Sequence, residues 1–317
     1  MNVDAAGRVY AAYEDGRVLQ LTPDGSTYME WANTGGRPLG LTFGAEGGLV
    51  VADAAKGLLH VDADVTALVS EVSDVPLRFA ADADNTRLDK NIYFTEASDR
   101  FAYPGRQELL EHAAHGRLLV HDVGTHETRV LMKGLHFPHG VAVGPDDAYV
   151  LVSETAEYRI VRYWLKGDRA GTYDVFADNL PGVPANLSFN ERDRFWVALQ
   201  ARRDPRFDEL LTGHTFERQL LARLPSLESS TGAFVIALDL NGKVVANLQY
   251  SGPDAYAPIR SVREFGPWLY FASSDARAIG RLPLNQAIAG AKPPPSGWDH
   301  VPATRELRRP APRAERD

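Results

Sequence analysis

The chain has 317 residues, 44% of them hydrophobic and 24% charged, with a formal net charge of −8. This is the composition of a globular chain with a sizeable core, and its negative balance argues against a nucleic-acid partner, which needs clustered Lys and Arg. It has no cysteine, which excludes disulfides, thiolate metal sites and Cys nucleophiles. No apolar run approaches the roughly 20 residues of a membrane span. The N-terminal stretch lacks the apolar core of a secretory signal, so the cytoplasm is the expected location.

Along the chain a short β-rich triplet recurs six times, each copy ending in a small residue: Val9-Tyr10-Ala11, Val50-Val51-Ala52, Tyr93-Phe94-Thr95, Leu151-Val152-Ser153, Trp196-Val197-Ala198 and Tyr270-Phe271-Ala272. A second apolar strand follows each, beginning at Gly16, Gly57, Gly116, Tyr158, Ala233 and Ala278. Three of the five spacings fall at about 41 to 45 residues, the length of a four-stranded propeller blade. The two longer ones carry insertions, at 99–115 and at 203–230. The second has leucines at helical spacing and is expected to be a surface helix, a possible lid over a channel mouth. A four-stranded sheet cannot bury both faces alone, whereas radial stacking buries each blade against its neighbours. The pattern therefore predicts an all-β, six-bladed β-propeller over residues 1–290. A helical insertion interrupts the fifth blade, and a solvated Pro/Arg-rich tail follows over 291–317.

Before four of the triplets stands a segment opening with proline: Pro38-Leu39-Gly40, Pro138-His139-Gly140, Pro184-Ala185-Asn186 and Pro258-Ile259-Arg260. Phe79-Ala80-Ala81-Asp82 is the third-blade variant. These read as innermost strands, with the residue after proline facing the channel near one mouth. The expected ring is Leu39, Ala81, His139, Ala185 and Ile259. The first blade's inner strand is expected to lie upstream of Val3 and so to be missing.

The stretch from Ser153 to Gly167, with Asn179-Leu180-Pro181-Gly182, Phe195-Trp196-Val197-Ala198-Leu199 and Ala257-Pro258-Ile259, resembles the signature of strictosidine-synthase-like proteins. The resemblance runs from about Arg8 to Leu284 and implies the same propeller. More distantly it implies kinship with gluconolactonase, paraoxonase and phosphotriesterase propellers, which hold calcium or another divalent ion in the channel. The positions that match their ligands read Ala81 (with Asp82 retained), His139 and Ala185 (with Asn186 retained), and the first-blade Glu has no counterpart. Calcium needs six to eight hard oxygens, so the inherited calcium site is expected to be lost, with no cofactor in its place. Strictosidine synthase itself uses a Glu base in a metal-free amine–aldehyde condensation. The matching residue here is Arg260, which stays protonated and cannot serve as a base.

His139 is thus the one titratable group expected on the ring, suited by type to acid–base work near neutrality. Arg260 is a candidate anion clamp, and Asp82 a candidate partner for either. Asn186 and Tyr256 are candidate substrate contacts beside the apolar Leu39, Ala81, Ala185 and Ile259. Glu154 and Arg159 read as an internal polar pair. His112 and His115 have zinc-binding spacing on a helix, but no neighbouring residue in the sequence completes a ligand set, so they read as surface histidines. The leading expectation is condensation or cyclisation of a small hydrophobic or aromatic substrate without a metal, His139 acting as acid/base. The alternatives are a lactonase- or esterase-type hydrolase with a rebuilt site, and a non-catalytic ligand- or protein-binding propeller.

Overall fold

The computed structural model describes residues 1–45, 47–86, 90–203 and 232–288. Six sheets are arranged as a β-propeller. Blade 1 is β1 (Asn2–Val3), β2 (Val9–Ala12), β3 (Arg17–Leu21) and β4 (Tyr28–Asn33). Blade 2 is β5 (Pro38–Phe43), β6 (Leu49–Asp53), β7 (Gly57–Val61) and β8 (Val65–Val69), followed by a small hairpin, β9 (Glu71–Val72) and β10 (Val75–Pro76). Blade 3 is β11 (Ala80–Asn85), β12 (Asn91–Glu96), β13 (Gly116–Asp122) and β14 (Thr128–Leu135), with helix α1 (Arg106–Glu111) between its second and third strands. Blade 4 is β15 (Pro138–Val143), β16 (Tyr149–Glu154), β17 (Arg159–Trp164) and β18 (Tyr173–Ala177). Blade 5 is β19 (Gly182–Phe189), β20 (Arg194–Arg202), β21 (Ala233–Asp239) and β22 (Val244–Tyr250). Blade 6 has three strands among the described residues, β23 (Ile259–Phe265), β24 (Trp268–Ser273) and β25 (Gly280–Pro283), then helix α2 (Leu284–Ala287).

All six triplets fall in the second strand of a blade, where burial on both faces selects their apolar residues. Val50, Leu58, Ala80, Phe94 and Leu119 form one inter-blade core, and Leu151, Ile160, Leu187, Phe195 and Ile236 another. The first blade departs from the sequence expectation. Its inner strand is Asn2–Val3, paired with Tyr10 and Val9, and it packs between β5 and β23 to close the ring. Two residues were too short a pattern to read as a strand. The insertion expected at 203–230 interrupts blade 5 between β20 and β21, but its helix and possible lid role, like the tail at 291–317, lie outside the described residues. In blade 6 the third strand starts at Gly280, two residues later than the sequence suggested.

Side-chain polar groups tie the blades where apolar packing cannot. The residue closing the second strand of blades 2, 3 and 4 is a fully buried carboxylate: Asp53, Glu96 and Glu154. Each accepts a backbone N–H from the chain leading into its own blade: Arg37 N at 2.9 Å, Arg78 N at 2.8 Å and His136 N at 2.8 Å. Glu96 also holds Arg117, and Glu154 holds Arg159 Nε at 2.5 Å, the internal pair expected from sequence. Between blades 5 and 6, Glu264 accepts Trp196 Nε1 at 2.6 Å and Asn190 Nδ2 at 3.3 Å.

Candidate functional site at the channel mouth

The inner strands share one direction in the repeated meander, so their N-terminal ends open on a single face. The four proline-type inner strands and the blade 3 variant each break register near that end. The breaks lie between Pro38 and Gly40, Ala80 and Asp82, Pro138 and Val141, Pro184 and Leu187, and Ile259 and Ser261. A bulge of this kind re-aims one side chain out of the alternating pattern. Its register corrects the expected ring. Ile259 pairs with Ser273 as Pro38 pairs with Asp53, so Arg260 rather than Ile259 occupies the position of Leu39, Ala81, His139 and Ala185. Ile259 instead packs with Trp196 and Leu269 in the core between blades 5 and 6.

Hydroxyls from the triplet ends hold the bulges. Thr95 Oγ1 donates to the His139 carbonyl at 2.5 Å and accepts the Asp82 N–H at 3.2 Å. One blade on, Ser153 Oγ donates to the Ala185 carbonyl at 2.7 Å and accepts the Gly140 N–H at 2.8 Å. Gly140 is required for this approach: a Cβ there would lie 2.6 Å from the Ala185 oxygen. Gly40 is required likewise, since its Cβ would collide with Asp82 Oδ1.

His139, Asn186 and Arg260 come together at this level from blades 4, 5 and 6. Burial, with a smaller contribution from the Arg260 charge, pulls the His139 imidazole down to about 4 against an opposing side-chain interaction with Asn186. The ring is therefore neutral at physiological pH. His139 Nδ1 and Asn186 Oδ1 are buried and without hydrogen-bond partners. Arg260 Nε lies 3.5 Å from Ser274 Oγ. Leu39 is half-buried at the same level and packs with Leu109 of the first insertion against Phe79 and Phe137. Those two rings meet edge to face at 5.5 Å, and Phe79 meets Tyr103 at 5.4 Å, with Arg37 stacked over Tyr103.

The other expected site residues are placed elsewhere. Ala81 and Ala185 have no exposed surface. The Tyr256 hydroxyl donates to the Ala278 carbonyl at 2.7 Å, with the Phe271 carbonyl 3.1 Å away, so the side chain ties β24 to the loop before β25. Burial pushes its phenol up to about 12. Asp82 Oδ2 accepts the Val141 N–H at 3.2 Å and faces a deeper level of the channel. That level is lined by Thr42, Asp82, Asp84, Ser188, Ser261 and Arg263 around a small, polar cavity with room for little more than a water molecule. Burial raises Asp82 to about 7 and also raises Asp84, while it lowers the Arg263 guanidinium against the pull of both carboxylates. Of these, only Asp82 was singled out from sequence. The others carry a readable signal, the period-2 alternation Asp82/Asp84 and Ser261/Arg263 along inner strands.

At the ring, the donor set does not fit calcium. The five positions offer one leucine, two alanines, one imidazole and one guanidinium, and none supplies a carboxylate oxygen.

Two family models match the sequence: strictosidine synthase over residues 83–168, and the strictosidine synthase-like N-terminal model over residues 1–21. Protein STRICTOSIDINE SYNTHASE-LIKE 4 of Arabidopsis thaliana is 33% identical over 288 residues, covering 87% of this chain and 76% of that protein. The chain belongs to the strictosidine synthase-like family. Protein STRICTOSIDINE SYNTHASE-LIKE 13 of the same plant is 40% identical over 209 residues, covering 64% of this chain and 51% of that protein. The chain thus spans about half the length of one family member and three quarters of the other. Among solved structures, a Xanthomonas campestris gluconolactonase superposes with a TM-score of 0.64 at 17% identity, covering 88% of this chain and 82% of that one. At that identity the likeness is one of fold.

Proposed function

We propose that this family member is an enzyme that joins or cyclises a small, carbonyl-bearing organic substrate at the channel mouth. The observation that carries the proposal is the meeting of three polar side chains beside an apolar wall. His139 and Asn186 present unpartnered atoms, and the Arg260 charge acts on the same point. Unpartnered buried polar atoms are costly unless a ligand pairs with them.

An imidazole held near 4 takes a proton only when negative charge develops beside it. Arg260 is placed to attract that charge. When a nucleophile on the substrate attacks the carbonyl carbon, its proton passes to His139 and the carbonyl electron pair moves onto oxygen. That oxygen becomes an oxyanion held by Arg260, with Asn186 fixing the substrate's orientation. The proton then returns from the imidazolium to the oxygen, leaving a hydroxyl; where the nucleophile is an amine, its remaining N–H proton passes through His139 to that hydroxyl, the nitrogen lone pair forms the C=N bond and the oxygen departs as water. Binding of an anionic group at Arg260 raises the basicity of His139, so the substrate itself prepares the base. The apolar shoulder of Leu39 and Leu109 suits a hydrophobic or aromatic substrate body.

The test is turnover of paired amines and aldehydes, and separately of lactones and aryl esters, by wild type and by His139→Ala. Condensation by wild type that drops about 100-fold or more in the variant is expected, the usual contribution of a general base. Lactone or ester turnover with the same dependence replaces synthesis by hydrolysis. Turnover indifferent to His139 refutes its role, and a tight ligand left unchanged by wild type makes the channel a binding site.

A further inference from the structure

The first insertion brings His112 to a place that its sequence spacing did not indicate. His115, its partner in the sequence motif, turns away to Glu108, with Nδ1 3.0 Å from Oε2. His112, at the C-terminal end of α1, instead meets two residues of blade 4, His136 and Glu157. His112 Nε2 lies 3.0 Å and His136 Nδ1 3.7 Å from the same oxygen, Glu157 Oε1, and all three atoms fall within 4.8 Å of one another. We propose that His112, His136 and Glu157 form a zinc-binding site on the mouth face of the propeller, separate from the channel.

Zinc bonded to imidazole nitrogen and carboxylate oxygen at about 2.0–2.2 Å places tetrahedral neighbours roughly 3.4 Å apart. The two distances to Glu157 bracket that edge, so a small closure of the three side chains completes the set. A simple ion pair accounts for His112 and Glu157 but not for the third member: His136 Nδ1 is buried and has no hydrogen-bond partner. The two imidazoles lie 4.8 Å apart, tilted by 38°. Two imidazoles and one carboxylate select zinc or a similar borderline ion over calcium or magnesium, which take oxygen ligands. The fourth position is open, since all three side chains are about a quarter exposed.

The scaffold around two of the ligands is already rigid. The His136 N–H is held by Glu154, and the His136 carbonyl accepts the Ala156 N–H from the 3-10 turn that carries Glu157. His112 arrives on the insertion, so bound zinc clasps blade 3's insertion to blade 4. The clasp sits three residues from His139 and beside the wall that Leu109 helps to form. Zinc therefore fixes one rim of the mouth and leaves one coordination position for water or a donor atom.

The test uses the full chain without a histidine tag, stripped with chelator and titrated with Zn²⁺ against a chromophoric competitor. One zinc per chain is expected. His112→Ala, His136→Ala and Glu157→Gln should each weaken binding by at least about tenfold, the lower end of what even outer-sphere substitutions cost. His126→Ala, in an exposed turn, should bind as wild type does. Co²⁺ in place of zinc should give the visible absorption of a tetrahedral site in wild type and lose it in His112→Ala. His112 lies on a surface insertion, so that variant should melt like wild type without metal and lose the zinc-induced rise in melting temperature. Absence of stoichiometric zinc binding, or binding unchanged in His112→Ala and Glu157→Gln, overturns the proposal.

Discussion

Replacing Asp82 by Asn should stabilise the protein at alkaline pH and leave it unchanged in acid. Asp82 is 6% exposed, lies against the bare Cα of Gly40 and accepts the backbone N–H groups of Val141 and Ala83. Burial raises its carboxyl from 3.8 to about 7. Below 3.8 the group is protonated folded and unfolded, so it adds no pH dependence. Between 3.8 and about 7 the unfolded chain ionises while the folded one holds its proton, so stability falls as pH rises. A tenfold gain in proton affinity corresponds to about 1.4 kcal/mol, so the roughly thousandfold gain on folding sets a ceiling of about 4 kcal/mol. The rise to about 7 is net of the buried Met1 amine, which opposes it, and relaxation of the site around the charge reduces the realised cost to roughly 2 kcal/mol. Asn keeps an acceptor for Val141 and carries no charge at any pH. Urea unfolding of both proteins at pH 4, 6 and 8 should show curves that coincide at pH 4, with the variant about 2 kcal/mol more stable at pH 8. A difference constant across pH, or a variant weaker at pH 8, refutes the assignment of a costly buried carboxylate.

The channel mouth yields a second pH signature. In an NMR titration His139 should stay neutral down to about pH 4, and Arg260→Gln should move its titration upward, because a lowering charge is removed; an unchanged or lower value separates the two side chains. Because the folded value lies below the unfolded 6.5, His139 costs stability only as pH falls from 6.5 towards 4. His139→Gln should remove that acid-side loss, read as a smaller drop in melting temperature between pH 7 and pH 4.5. Glu154→Ala should cost about 3 kcal/mol by leaving the His136 N–H and Arg159 without their acceptor, and Glu154→Gln clearly less. Equal melting temperatures for the two variants contradict the two-bond role of Glu154.

Much of the propeller was legible because a blade must repeat. Two apolar faces per sheet force residues such as Phe94, Val152 and Val197 to recur at blade length, and the small triplet ends mark where the sheets crowd the axis. Two of those ends, Thr95 and Ser153, carry more information than size: their hydroxyls hold the bulges bearing His139 and Ala185. The strand of blade 1 escaped detection because two residues hold no period. The ring differs from the sequence expectation at one position because proline does not hold a constant register with the bulge. Pro258 lies one residue before β23, and only the pairing of Ile259 with Ser273 shows that Arg260 is the ring member.

His139, Asn186 and Arg260 were each readable as polar residues on inner strands, yet their meeting was not, because it depends on how three bulged strands approach one another. His112, His136 and Glu157 illustrate the same limit. The local spacing pointed from His112 to His115, whereas folding delivers it to blade 4. The sequence by itself determined the six blades, their order and the family, since those follow from hydrophobic periodicity and a signature stretch that are properties of the chain. The tertiary structure decided which side chains share the channel mouth and what charge they carry there, because proximity and desolvation arise only when separate blades are packed together.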